Sequence, residues 1–221
     1  MKTVGILGGM GPEATILLMQ KVLRAVDAKD DADHIPLIVH QNPGVPSRIK
    51  RLIEGVGDDP GPVLAQMAQD LEAAGALALA MPCNTAHAYA PQILAASTLP
   101  FLDMRAATAR VLPVGRIGML ASPAVRMTRA FDRVFQDAGV QIVWPKDEAP
   151  VLSLIRQVKA GQVQSGSRAE FQRIGEDLLQ SCDHLLVACT ELSLLTDDLP
   201  DGLWTDSLDC LVREIVDFAK G

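Results

Sequence analysis

The chain has 221 residues, is 48% hydrophobic, and carries a net charge of −7 at pH 7. That is enough to bury a sizeable core in one large domain or in two domains of about 100 residues each. The acidic balance, with no run of Lys or Arg longer than a pair, argues against nucleic acid and anionic membrane surfaces and leaves small metabolites as the expected partners. Met1-Lys2 runs straight into a strand-like VGILGG without signal-peptide architecture, and no apolar run approaches the roughly 20 residues of a membrane helix. The expected location is therefore the cytoplasm.

In chain order, Thr3 to Leu7 is a short apolar run closed by Gly8-Gly9, and Pro12 opens a helical pattern of Ala14, Leu17, Leu18 and Val22 that extends to about Lys29. This is a strand, a tight loop and a helix. Ile35 to His40 reads as a second strand, Gln41 to Ser47 as a loop with Arg48 at its far edge, and Gly55 to Pro62 as turns. Val63 to Ala74 is an amphipathic helix ended by Gly75. Leu77 to Met81 is a third strand, followed by Cys83, a helix from about Ala88 to Ala96 and a short strand at Pro100 to Leu102. The pattern then restarts, with strands at Arg116 to Leu120, Val140 to Val143 and His184 to Ala188, and helices at Val125 to Ala138, Val151 to Ala160 and Arg168 to Ser181. Strands alternating with helices of roughly 10 to 15 residues imply parallel sheets covered on both faces.

Two alignments suggest an internal repeat. Val4 to Met10 (VGILGGM) matches Ile117 to Pro123 (IGMLASP), and the stretch AMPCNT from Ala80 matches VACT from Val187. The expected fold is α/β, with two similar three-layer domains built on parallel sheets as a pseudo-symmetric repeat. The first domain is residues 1–98 plus 207–221, with the amphipathic tail helix Leu208 to Lys220 packing back on the first half. The second is residues 99–206.

Of the four cysteines, Cys182 and Cys210 sit in helical patterns and read as buried thiols. No CxxC pair or metal-ligand spacing is present, and no metal is expected. Cys83 and Cys189 differ, because each ends an apolar strand at the carboxyl edge of a sheet, where open α/β folds place their ligands. A thiol at a helix N-terminus has its thiolate favoured by the dipole, and two such thiols on opposite sides of a bound carbon can serve as one base and one acid. Asn84-Thr85 and Thr190-Glu191 supply small donors and backbone N–H groups suited to a carboxylate. The alternative is a pair of core thiols that happen to end strands. The glycine loop from Gly5 to Pro12 does not match the dinucleotide fingerprint: its glycines are differently spaced, and the second strand ends in His40-Gln41-Asn42 rather than at an acidic residue. It does offer N–H groups and a positive helix end to an anion.

The motifs GGMGPEAT (Gly8 to Thr15), NPGVPSR (Asn42 to Arg48), PCNTAH (Pro82 to His87), VKAG (Val158 to Gly161) and CTEL (Cys189 to Leu192) occur in this order over most of the chain. Together they resemble the aspartate racemase branch of the aspartate/glutamate racemase superfamily. The glutamate racemase branch, with a D-S-G-x-G-G loop and a CTH motif, fits less well. The resemblance implies an active site between the two domains, a homodimer, and racemisation of an acidic amino acid, aspartate first, without pyridoxal phosphate or any other cofactor. It implies that Cys83 and Cys189 are the acid/base pair, that Arg48 and Lys159 bind substrate carboxylates, that Asn84, Thr85 and Thr190 hold the α-carboxylate and amino group, and that Met10 lines the pocket. Without it, Arg48 is an ordinary exposed loop arginine and Lys159 a solvated lysine at a helix end. His87 reads either as a partner of the Cys83 thiol or as a helix-start histidine facing solvent or a carbonyl. Glu191 reads either as a proton relay or as a favourable charge at a helix start.

The chain departs from the family pattern at Ala188, where glycine usually precedes CTE, and in the loop Ala121 to Val125, which lacks a threonine near position 125. Ser122 and Thr128 are the candidates to compensate. Aspartate, glutamate and broad specificity are therefore all open. Two further alternatives are a decarboxylase or isomerase of a dicarboxylic acid on the same scaffold, and an inactive binding protein for an acidic metabolite.

Overall fold

The structure, a computed structural model, describes all 221 residues. It contains two four-stranded parallel sheets. The first has the order β2-β1-β3-β4, formed by β1 (Val4–Gly8), β2 (Leu37–Gln41), β3 (Ala78–Ala80) and β4 (Phe101–Leu102). The second has the order β6-β5-β7-β8, formed by β5 (Gly115–Leu120), β6 (Val140–Val143), β7 (His184–Val187) and β8 (Trp204–Asp206). The two orders are the same once the second is renumbered from its first strand, so the repeat seen in the sequence is a repeat of topology.

Helices cover both faces of each sheet. Along β1, Val4 and Ile6 point into a cluster with Leu18 and Val22 of α1 (Pro12–Arg24) and with Leu208, Leu211 and Ile215 of α10 (Ser207–Lys220). Leu7 points the other way, toward Leu64, Met67 and Leu71 of α3 (Gly61–Ala73) and Ile93 of α4 (Ala90–Ala96). This is the two-residue period of a strand, and because both faces are covered every residue of β1 is buried. In β5, Ile117 and Met119 meet Phe131 and Phe135, while Leu120 meets Leu154 of α8 (Ala149–Lys159) and Phe171 of α9 (Ser165–Leu179). The tail helix α10 buries Leu208, Leu211, Val212, Ile215 and Ala219 on one stripe against the first sheet.

Several expected boundaries shift, each for a local reason. The first helix ends at Arg24 rather than near Lys29, because the Asp33 carboxylate accepts the N–H groups of Lys29 and Asp30 and replaces helical bonding there. The helix expected from Val125 to Ala138 is two, α6 (Pro123–Met127) and α7 (Asp132–Asp137). The Thr128 hydroxyl donates back to the Ala124 carbonyl at 2.9 Å, and Arg129 turns the chain with φ of 53°. Three short elements, α2 (Arg48–Leu52), α5 (Met104–Ala109) and β8, carry too few residues to show a period. The division expected between residues 98 and 99 separates β4 from the sheet to which it belongs, since Leu79 and Ala80 of β3 pair with Phe101 and Leu102. By strand pairing, the passage to the second sheet lies between Leu102 and Gly115.

Candidate active site

The loops that leave the carboxyl ends of β1, β2, β3, β5 and β7 converge on one cleft of about 250 Å³. Cys83 lies three residues beyond β3 and Cys189 two residues beyond β7. All eight residues expected at the site, Met10, Arg48, Cys83, Asn84, Thr85, Lys159, Cys189 and Thr190, line this cleft. The first five come from the first half and the last three from the second.

The turn after β3 is fixed from behind. His87 is buried, its Nδ1 lies 2.8 Å from the Cys83 carbonyl oxygen, and its Nε2 accepts the Met104 N–H at 3.3 Å. Both contacts are satisfied at once only by the neutral ring with the proton on Nδ1. Burial lowers the imidazole to about 4, against the opposing pull of Asp103. His87 thus holds the backbone at Cys83 rather than the thiol. Asn84 Nδ2 donates to Ser207 Oγ at 2.9 Å, and that hydroxyl donates to the Val187 carbonyl at 3.0 Å. Asn84 Oδ1 is buried without a partner.

The second thiol has a charged neighbour. Cys189 Sγ donates to Glu191 Oε2 at 3.1 Å, and Glu191 Oε1 is ion-paired with Lys159 Nζ. Burial of Cys189, with the Glu191 carboxylate beside it, pushes the thiol well above its ordinary value, and Lys159 offsets this only in part. The expected lowering by a helix dipole is therefore reversed at Cys189: the next element is only a 3₁₀ turn of three residues, Leu192–Leu194, and the nearest charge is negative. Burial alone would lower the Lys159 ammonium, but the Glu191 carboxylate, through its charge and its hydrogen bond, raises it above the usual lysine value, and negative charge on either cysteine acts in the same direction. Thr190 Oγ donates to the Pro82 carbonyl at 3.0 Å, so its proton ties the two cysteine turns together.

The glycine loop closes one wall. Gly9 has φ of +92°, and a Cβ there would lie 2.4 Å from the Asn42 carbonyl carbon and oxygen. Only glycine fits. Arg48 is buried, which corrects the exposed loop arginine read from the sequence. Its Nη1 donates to the carbonyls of Val45 at 3.2 Å and Pro46 at 2.7 Å, and its Nη2 to Met10 at 3.3 Å. Three of five N–H donors are thereby used, and the Nε–H is buried with no partner. Ser122 lines the cleft and caps α6 by accepting the Ala124 N–H at 3.3 Å. Val125 and Thr128 do not line it: Val125 is in the core, and the Thr128 hydroxyl bonds its own helix.

Glu13, Val45, Ile49 and Ile155 also line the cleft; Glu13 and Val45 lie inside the GGMGPEAT and NPGVPSR motifs without a role assigned to them, and Ile49 and Ile155 lie outside every motif. Ile155 could have been found, since it precedes Lys159 by one helical turn on α8. No group of three or more His, Cys, Asp or Glu side chains is arranged to hold a metal ion, and no helix is long and apolar enough to cross a membrane.

The twin parallel sheets thus present one cleft at their carboxyl edges, with a free thiol beyond the matching strand of each half and the cationic side chains of Arg48 and Lys159 on its wall. Residues 7–215 match the model of the Asp/Glu/hydantoin racemase family, and the chain belongs to that family, which makes it an isomerase of the racemase type. The broad specificity amino-acid racemase RacX of Bacillus subtilis is 27% identical over 222 residues, covering 96% of both chains. The aspartate racemase of Picrophilus torridus superposes with a TM-score of 0.89 at 27% identity, covering 100% of this chain and 95% of that one. Glutamate racemase from Francisella tularensis, solved with D-glutamate, shares the fold at a TM-score of 0.66 and 14% identity, over 98% of this chain and 80% of its own.

Proposed function

We propose that this chain inverts the α-carbon of an acidic amino acid, aspartate first, by two-thiol acid/base chemistry without a cofactor. One thiolate of the Cys83 and Cys189 pair removes the α-proton while the opposite thiol protonates the other face. The observation that carries the substrate class is the pair of cationic side chains on the cleft wall, Arg48 from the first half and Lys159 from the second, beside both thiols. Arg48 spends three of its five N–H donors on backbone carbonyls, which fixes the guanidinium and leaves donors for a substrate carboxylate. The α-proton is far less acidic than a thiol, so the carbanion needs help from its carboxylate. Backbone N–H groups around Asn84, Thr85 and Thr190, with the Lys159 ammonium, supply it, and donors of this kind contribute several kcal/mol in a water-poor site. The same reading makes the enzyme a cytoplasmic homodimer and leaves a dicarboxylic acid decarboxylase or a catalytically silent binder as the readings it displaces.

A broader substrate range is favoured by one feature. Val45, Ile49 and Ile155 give the cleft an apolar wall, and the relative RacX is named for broad specificity. Measuring kcat/KM by polarimetry across aspartate, glutamate and neutral amino acids separates the two. We expect acidic substrates to lead, and Arg48→Lys, which loses the planar fork but keeps the charge, to reduce their kcat/KM roughly tenfold or more while sparing neutral ones. Neutral substrates leading, with no effect of Arg48→Lys on the order, would establish the broad reading instead.

A further inference from the structure

A racemase with two thiols needs them in opposite protonation states, and nothing in a symmetric fold says which thiol starts as the acid. The pseudo-symmetry of the two cysteine turns is broken in charge at one position. After the first cysteine come Asn84 and Thr85, and after the second come Thr190 and Glu191. Glu191 is 4% exposed, and its two oxygens are divided between neighbours, Oε2 taking the Cys189 S–H at 3.1 Å and Oε1 taking Lys159. The groups around Cys189 from every side of the cleft are Glu191 on its own turn, Lys159 on α8, Cys83 on the turn after β3, and Arg48 and Glu13 on the facing loops. Arg48 is committed to the carbonyls of Met10, Val45 and Pro46. Lys159 reaches Glu191, so the charge in direct contact with Cys189 Sγ is the carboxylate.

We propose that Glu191 is a positioning residue that holds Cys189 as the thiol in the free enzyme, so that Cys83 is the base and Cys189 the acid at the start of each turnover. This rests on the two-thiol reading above. An acceptor aimed at the S–H favours the protonated form, and a negative charge beside the sulfur opposes the thiolate. In the forward step the Cys83 thiolate takes the α-proton, and the Cys189 S–H bond breaks as its proton goes to the opposite face of the α-carbon. The enzyme is left with a thiol at Cys83 and a thiolate at Cys189. That thiolate sits against Glu191, so after product release it regains a proton, with the Cys83 proton passing to solvent. Lys159 limits the repulsion in the interim. The free enzyme is thus poised toward the enantiomer whose α-hydrogen faces Cys83.

The test reads the thiol itself and needs no turnover, so it stands or falls separately from the racemase reading. In full-length Cys83→Ser protein, the rate of iodoacetamide alkylation of Cys189 is followed against pH by peptide mass spectrometry, with Cys182 and Cys210 resolved in the same digest. Adding Glu191→Gln should lower the midpoint by about one pH unit or more, making alkylation about tenfold faster near neutral pH. Glu191→Asp keeps the charge and should retain most of the high midpoint. A Gln profile that superimposes on the parent overturns the proposal, as does an Asp profile that falls as far as Gln, since the charge would then not be the cause. If the Gln variant does not fold, the Asp variant and the thiolate absorbance of the parent still decide: an ordinary thiol midpoint at Cys189 in the parent overturns it.

Discussion

Two buried ionisable side chains other than the cleft thiols shape how the molecule responds to pH, and they act in opposite directions. His87 is held at about 4, below its ordinary 6.5, so between those values the unfolded chain binds the extra proton and stability rises with pH. Asp206 is pushed by burial up to about 6 from 3.8, with Lys21 3.6 Å away partly offsetting the shift. There the folded chain binds the extra proton, and stability falls as pH rises across nearly the same window. Each contribution is about 3 kcal/mol at full extent. Relative to the parent, His87→Gln should therefore lose a positive slope of stability between about pH 4 and 6, and Asp206→Asn should lose a negative one. Urea unfolding at several pH values measures both, and slopes that change in the same direction would refute this assignment. Neither effect is legible in the sequence. His87 comes four residues after Cys83 and suggests a thiol partner, but its burial against Met104 depends on α5, an element too short to show a period. Arg48 is a similar case: nothing in NPGVPSR announces that the carbonyls of Met10, Val45 and Pro46 converge on one guanidinium.

At the scale of elements, the site is assembled by strand ends and by the tight connections beyond them. Those are legible because the parallel strands are covered on both faces, so their apolar runs stop abruptly where the chain emerges at Gly8, Met81 and Ala188. The glycine loop is the most demanding connection. Gly9→Ala would force a positive φ on alanine and drive its Cβ to within 2.4 Å of Asn42. We expect a loss of roughly 1–3 kcal/mol in denaturant unfolding, with a displaced Met10 and Arg48 and reduced activity. Gly166 is the control. It lies in α9 with a backbone free of positive φ, and a methyl group added there would have nothing within 4 Å, so Gly166→Ala should raise stability by about 0.5–1 kcal/mol. Equal effects of the two substitutions would show that the contact with Asn42 is not limiting. The elements that sequence periodicity could not give, α2, α5 and β8, are those that hold the site from outside: α2 begins at Arg48, α5 donates to His87, and β8 delivers Ser207 to Asn84.

Across the whole molecule, the halves are joined at the chemistry rather than only through the chain. Thr190 donates to Pro82, and Asn84 donates to Ser207, which in turn donates to Val187, so each cysteine turn is fixed by the opposite half. The tail helix returns to the first sheet and seals its outer face. A duplicated fold thereby places equivalent strand ends on two sides of one cleft, which suits a reaction whose substrate and product are mirror images. The most direct measurement is incubation under reducing conditions with single enantiomers of aspartate and glutamate in deuterated water. We predict that the inverted product carries deuterium at the α-carbon while the remaining starting enantiomer stays largely protiated, the signature of two separate acid/base groups. Cys83→Ser and Cys189→Ser should each cut inversion by about 10²–10⁴-fold with the fold intact. Absence of both inversion and deuterium uptake with every amino acid tried, or inversion undiminished in either serine variant, would contradict the two-thiol racemase.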